Sequence, residues 1–112
     1  MKGVGIAIVV GAAAAMALAA PAHADVDTDF ANQLHTYGIY GPRDYNAYIG
    51  KIVCARLGRG VDANAAASVH FISINLQRGT SQAQDWQFLG ASINSYCPEL
   101  TPVWDQAAAE HS

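Results

Sequence analysis

Gly50-Lys51-Ile52-Val53-Cys54-Ala55-Arg56-Leu57 and Ile93-Asn94-Ser95-Tyr96-Cys97-Pro98 hold the chain's only two cysteines, and how they are read decides the fold. Both stretches carry apolar residues at helical spacing. Tyr48, Ile49, Ile52, Val53 and Leu57 line one broad face of the first, while Trp86, Leu89, Ile93 and Cys97 line one face of the second. With two cysteines there is one possible pairing, and in an oxidising compartment a disulfide is its default state. The bond would close a loop of about 44 residues, for which the chain-entropy model gives on the order of 4 kcal/mol. A redox role has no Cys-x-x-Cys spacing to support it.

The compartment is read from the amino terminus. Lys2 supplies a positive charge, Val4 to Ala20 is a run of 17 residues without charge, and Pro21-Ala22-His23-Ala24 offers small residues at the two positions a signal peptidase inspects. Residues 1–24 therefore read as a secretory signal peptide cleaved before Asp25. A membrane span needs about 20 consecutive apolar residues, and this run ends in a proline, so no stable span is expected after cleavage. The predicted destination is the medium, the periplasm or the cell envelope.

Removing 24 residues from 112 leaves 88, enough for one domain with a thin core. Lys2 is the one basic residue lost and no acidic residue goes with it. Five basic and nine acidic residues remain, a formal charge of −4. That balance argues against nucleic acid as a partner, since phosphates demand a basic surface.

Outward from the cysteine segments the chain reads as four short helices, an all-α bundle. Asp25, Asp27 and Asp29 open a first helix over 28–37, which Gly38 ends in a left-handed conformation. Pro42 starts the second, which runs to Gly58 and Gly60. Asp62 is the expected N-cap of the third, with Ala65, Val69, Ile72 and Leu76 facing inward. Its second half, 69–76, is rich in β-branched residues and open to a strand reading, but a lone strand would have no partner. Ser81-Gln-Ala-Gln84 fits a capping box for the fourth helix, which Pro98 ends. Residues 25–98 form the domain, and residues 99–112 form a tail of at most one weak turn.

On these residues the chain resembles a family of small exported actinobacterial proteins, domain of unknown function 732. The resemblance covers 27–98. It rests on Asp27-x-x-Phe30, Leu34 to Ile39, Gly50-Lys-Ile-Val-Cys54-x-x-Leu57-x-x-Gly60, Ser81-Gln-Ala83 and Phe88 to Pro98. It implies a secreted, helical, disulfide-bonded fold and brings no activity with it.

Chemistry is sparse. The Asp25, Asp27, Asp29 spacing lacks the glycine and bidentate glutamate of a calcium loop, and the histidines lack zinc-ligand spacing, so no metal site is expected. No nucleophile elbow or phosphate-cradling loop points to an enzyme. His35, Tyr37 and Tyr40 cluster around the first turn, where imidazole and phenolate are both haem-ligand types, so a haem carrier is an alternative. Tyr45 and Tyr48 are expected in the core, as is Trp86, and His70 is expected to pack beside the third helix. His35, Tyr37, Tyr40 and Trp104 form the candidate binding patch. The leading expectation is a non-catalytic module that binds a protein or a small envelope ligand. Haem or lipid carriage comes second and a hydrolase third.

Overall fold

A computed structural model describes residues 22–110. Residues 1–21, most of the expected signal peptide, lie outside them, as do residues 111 and 112, and the expected cleavage site between Ala24 and Asp25 falls within the first described helix. Five helices and no strand occur among the described residues: α1 (Ala22–Thr36), α2 (Arg43–Gly58), α3 (Ala65–Asn75), α4 (Gln82–Tyr96) and, after a 3-10 turn at Pro98–Leu100, α5 (Thr101–Glu110). None of the described helices is long and apolar enough to cross a membrane.

Four of these match the predicted helices, although α1 begins at Ala22, six residues before the expected 28, so that Asp25, Asp27 and Asp29 lie within it; the disputed segment 69–76 is helical up to Asn75. The capping box is complete: the Ser81 hydroxyl accepts from the Gln84 backbone N–H at 3.1 Å, and the Gln84 side chain accepts from the Ser81 N–H at 2.8 Å. Gly38 takes the expected positive φ of 78°. The N-cap of α3 differs from expectation. Asn64, not Asp62, accepts from the Ala67 N–H at 2.9 Å. Asp62 has been drawn into the protein by Arg56, whose guanidinium donates to both of its oxygens at 3.0 and 2.9 Å, with the Ser68 hydroxyl adding a third bond at 2.9 Å. A buried carboxylate held by a two-pronged donor is satisfied more fully there than at a solvated helix end. The Arg56 guanidinium also lies 4.3 Å above the Phe71 ring.

Phe30, Leu34, Val53, Ile72, Phe88 and Leu89 are fully enclosed at the centre. Phe30 meets Phe88 and Tyr96 edge-on, with ring centres 5.4 and 5.0 Å away. Gly50 lets these rings approach. A Cβ there would stand 3.0 Å from the Phe30 ring and 3.1 Å from that of Tyr96. This contact turns the buried face of α2 toward Asn46, Ala47, Ile49, Gly50 and Val53. Tyr45 and Tyr48, expected in the core, are thereby displaced to the surface. Tyr45 donates its hydroxyl to the Asn75 carbonyl at 2.7 Å, closing α2 onto the end of α3. His70 is exposed as well, since α3 buries Ala65, Ser68, Val69 and Ile72 instead.

Two ties reach across long stretches of sequence. Cys54 and Cys97 form the disulfide, with Cα atoms 5.8 Å apart. Tyr96 donates to Asp27 at 2.6 Å, and Lys51 donates to the other oxygen of the same carboxylate at 3.3 Å. Asp27 thus serves inside α1 and not as its solvated start. The Tyr96 hydrogen bond, followed by Lys51, holds the Asp27 carboxyl below the usual carboxylate range.

The tail is a helix of ten residues. Pro102 sits in its first turn, where a missing N–H costs nothing, and Ala107 to Ala109 favour the helical state. α5 runs back along α4, with Ala107 buried and the Trp104 ring lying against Gly90.

Candidate functional site

The candidate patch divides in two. Trp104 belongs to one cleft, and Tyr40, with His35 beside it, belongs to another.

The first cleft opens where α5 crosses α4. Its volume is about 420 Å³, and Gln82, Trp86, Trp104, Ala107 and Ala108 line it. Two indoles and two methyl groups make the wall apolar, and the Gln82 amide is its one polar side chain. Trp86, predicted for the core, is half-buried on this wall. Its ring meets that of Trp104 edge-on at 6.2 Å. Gly90 makes the arrangement possible, because a Cβ at that position would come within 3.1 Å of the Trp104 ring. Smaller hollows extend from both sides of the pair, one toward Ala63–Ala66 at the start of α3 and one toward Thr101 and Asn94. Among the described residues no titratable side chain lines the main cleft, which offers shape and apolar surface.

The second cleft lies between the α1–α2 and α3–α4 loops. Its volume is about 150 Å³, and its lining includes Gly38, Tyr40, Gln77, Arg78, Thr80 and Gln84. Tyr40 is 61% exposed, and its ring leans on that of His35 at 5.2 Å. Tyr37 plays a different part. It is half-buried, its hydroxyl accepts from the Gln33 amide at 3.2 Å, and its carbonyl accepts from the Gln84 amide at 3.0 Å. The expected cluster of three is therefore an exposed pair, His35 and Tyr40, standing on a structural residue.

Haem needs an axial ligand inside an apolar pocket. His35 and Tyr40 are absent from the lining of the apolar cleft, and the cleft beside Tyr40 is small and mostly polar. The structure keeps ligand type and pocket type apart.

Two residues escaped sequence reading. Gly90 shapes the tryptophan cleft, yet a glycine within a helix carries no signal of the ring above it. Asp85, one turn into α4, is 4% exposed, and its Oδ1 has no hydrogen-bond partner. Burial pushes its carboxyl above the ordinary range. The nearby helix N-terminus favours the anion, but desolvation outweighs it.

Residues 25–99 match the family model described as a protein of unknown function, DUF732. Two uncharacterized proteins of Mycobacterium tuberculosis, from two strains, are each 55% identical to the chain over 78 residues, covering 70% of this chain and 70% of theirs. No solved structure matches. Trp86 lies within the matched region, and Trp104 lies beyond it. The match takes in the helices α1 to α4 and both cysteines, and on that extent the chain belongs to the DUF732 family.

Proposed function

We propose that the protein is an exported, non-catalytic binding module that holds a small apolar molecule in the cleft between Trp86 and Trp104. The observation that carries this reading is the cleft itself. Its volume falls in the range of small-ligand sites, about 300–1,000 Å³, and its wall is two indoles and two alanines with one amide. The absence of titratable groups from that lining supports binding over chemistry. Export rests on the amino-terminal pattern of Lys2, the Val4–Ala20 run and the Ala22-x-Ala24 site, and places the module outside the cytoplasm, in the envelope or beyond it. Within the carriage alternative, an open apolar wall suits an acyl chain better than haem.

The chain's only two tryptophans both line this cleft, so its indole emission reports on the site directly. Titration of the disulfide-bonded protein with the neutral fluorophore N-phenyl-1-naphthylamine should quench that emission and saturate. Trp104→Ala should weaken binding at least tenfold. Retention of full affinity by the Trp104→Ala protein would remove the site from consideration.

A further inference from the structure

We propose that the cleft between the α1–α2 and α3–α4 loops is a second binding site, for a small cyclic anion of the sugar-carboxylate type. It rests on observations independent of the tryptophan cleft. Among the described residues Arg78 is the only charged side chain in its lining. Arg43, Lys51 and Arg56 are each paired with an aspartate, whereas Arg59 and Arg78 have no ion-pair partner among the described residues, and of these two Arg78 is the one that lines a cleft. In a chain of net charge −3, an unpaired guanidinium in a polar hollow is a local point of attraction for an anion. Its planar fork matches a carboxylate through two parallel hydrogen bonds.

The rest of the lining suits a polyhydroxylated ring. Tyr40 presents an exposed aromatic face, whose negative quadrupole attracts the polarised C–H groups of a sugar ring. The Gln77 amide offers both a donor and an acceptor for hydroxyls. The volume, about 150 Å³, sits well below that of drug-sized sites and so favours a single ring.

The frame is set before any ligand arrives. Gln84 donates to the Tyr37 carbonyl and accepts from the Ser81 N–H, so one capping residue fastens the two loops together. On the far side of the α3–α4 loop, Tyr45 holds the Asn75 carbonyl. Gly38 and Gly79 take positive φ values of 78° and 90°, which fix the loop turns and keep bulk out of the hollow. With the backbone frame held, the ordering cost left for binding falls on the exposed Tyr40, Gln77 and Arg78 side chains.

The test is an amide-resolved NMR titration of the disulfide-bonded chain with glucuronate, with glucose and acetate as controls. Saturable shifts are expected at residues 38–40 and 77–84. Glucose, which lacks the carboxylate, and acetate, which lacks the ring, should each bind at least tenfold more weakly. Arg78→Gln and Tyr40→Ala should each weaken glucuronate binding at least tenfold, with unchanged thermal unfolding and unchanged indole emission. No saturable shift with glucuronate would overturn the proposal, as would equal binding of either control or an unaffected Arg78→Gln protein. The tryptophan emission stays silent throughout, so failure here is separable from failure of the apolar site.

Discussion

The four helices closed by the disulfide and the helix that follows them are held in different ways. α1 to α4 are joined by a covalent bond, by the Asp27 carboxylate shared between Tyr96 and Lys51, and by Asp62 gripped by Arg56 and Ser68. α5 lies outside the disulfide loop and is seated by packing, with Trp104 on Gly90 and with Val103 and Ala107 against the core. The apolar cleft lies along the seam between them. One of its walls belongs to α4, inside the disulfide-closed frame, and the other to α5, outside it.

The contrast can be broken most severely at the cysteines. Replacing both with serine should cost on the order of 4 kcal/mol, close to the whole stability expected of so small a domain. Urea unfolding should show the midpoint collapsing. A loss under 1 kcal/mol would mean that packing alone holds the frame.

Asp62→Ala comes next. It leaves the Ser68 hydroxyl and the Arg56 guanidinium without their acceptor and should cost about 2 kcal/mol, again by urea unfolding. An unchanged midpoint would show the carboxylate to be ornamental.

The two close-approach glycines sharpen the comparison. Gly50→Ala drives a methyl group against two rings in a filled core and should cost about 2 kcal/mol. Gly90→Ala meets a ring of similar closeness on a helix free to give way. Its unfolding midpoint should move by less than about 0.5 kcal/mol, while indole emission shifts to longer wavelength as Trp104 lifts. Equal losses at the two positions would show that α5 is as firmly held as the frame.

The smallest effect concerns pH. The Asp27 and Asp62 carboxyls titrate lower in the folded state than their ordinary 3.8, so their contributions are present above that value and are lost as pH falls through the folded pKa. Asp85 titrates higher when folded, so the stability it confers when protonated is full below 3.8 and is lost as pH rises through its folded pKa. The two trends oppose each other, so these groups make thermal stability fall on the acid side and decline again as pH rises toward neutrality. Asp85→Asn should remove the decline on the neutral side and leave the acid side intact. A decline that persists in the Asp85→Asn protein would assign it to other groups.

The helices up to Cys97 were legible because their periodicity, caps and stops agree. The Ser81 box, Gly38 and Pro98 each did what local chemistry required. The errors arose where a distant partner overrode a local preference. Asp62 has the chemistry of an N-cap, but Arg56 six residues earlier offered it a better environment. Tyr45 and Tyr48 look like core residues on a hydrophobic stripe. That stripe gives no weight to Gly50, whose missing side chain sets the direction in which α2 faces. The tail was expected to form at most one weak turn and instead makes the ten-residue helix α5, because docking onto Gly90 stabilises it, and nothing near position 90 announces a ring fourteen residues away. Of the candidate patch, exposure was foreseen for Tyr40, while the separation of Trp104 from it required the fold.

Cys97 stands at the end of α4, just before the turn that leads into α5. In a chain made amino end first, Cys97 comes after α1 to α4, so its bond to Cys54 can close only once all four helices have been made. Only when that sulfur meets Cys54 is there a finished surface for α5 to settle on. The tryptophan cleft, which needs both α4 and α5, is thus completed only after the frame has closed.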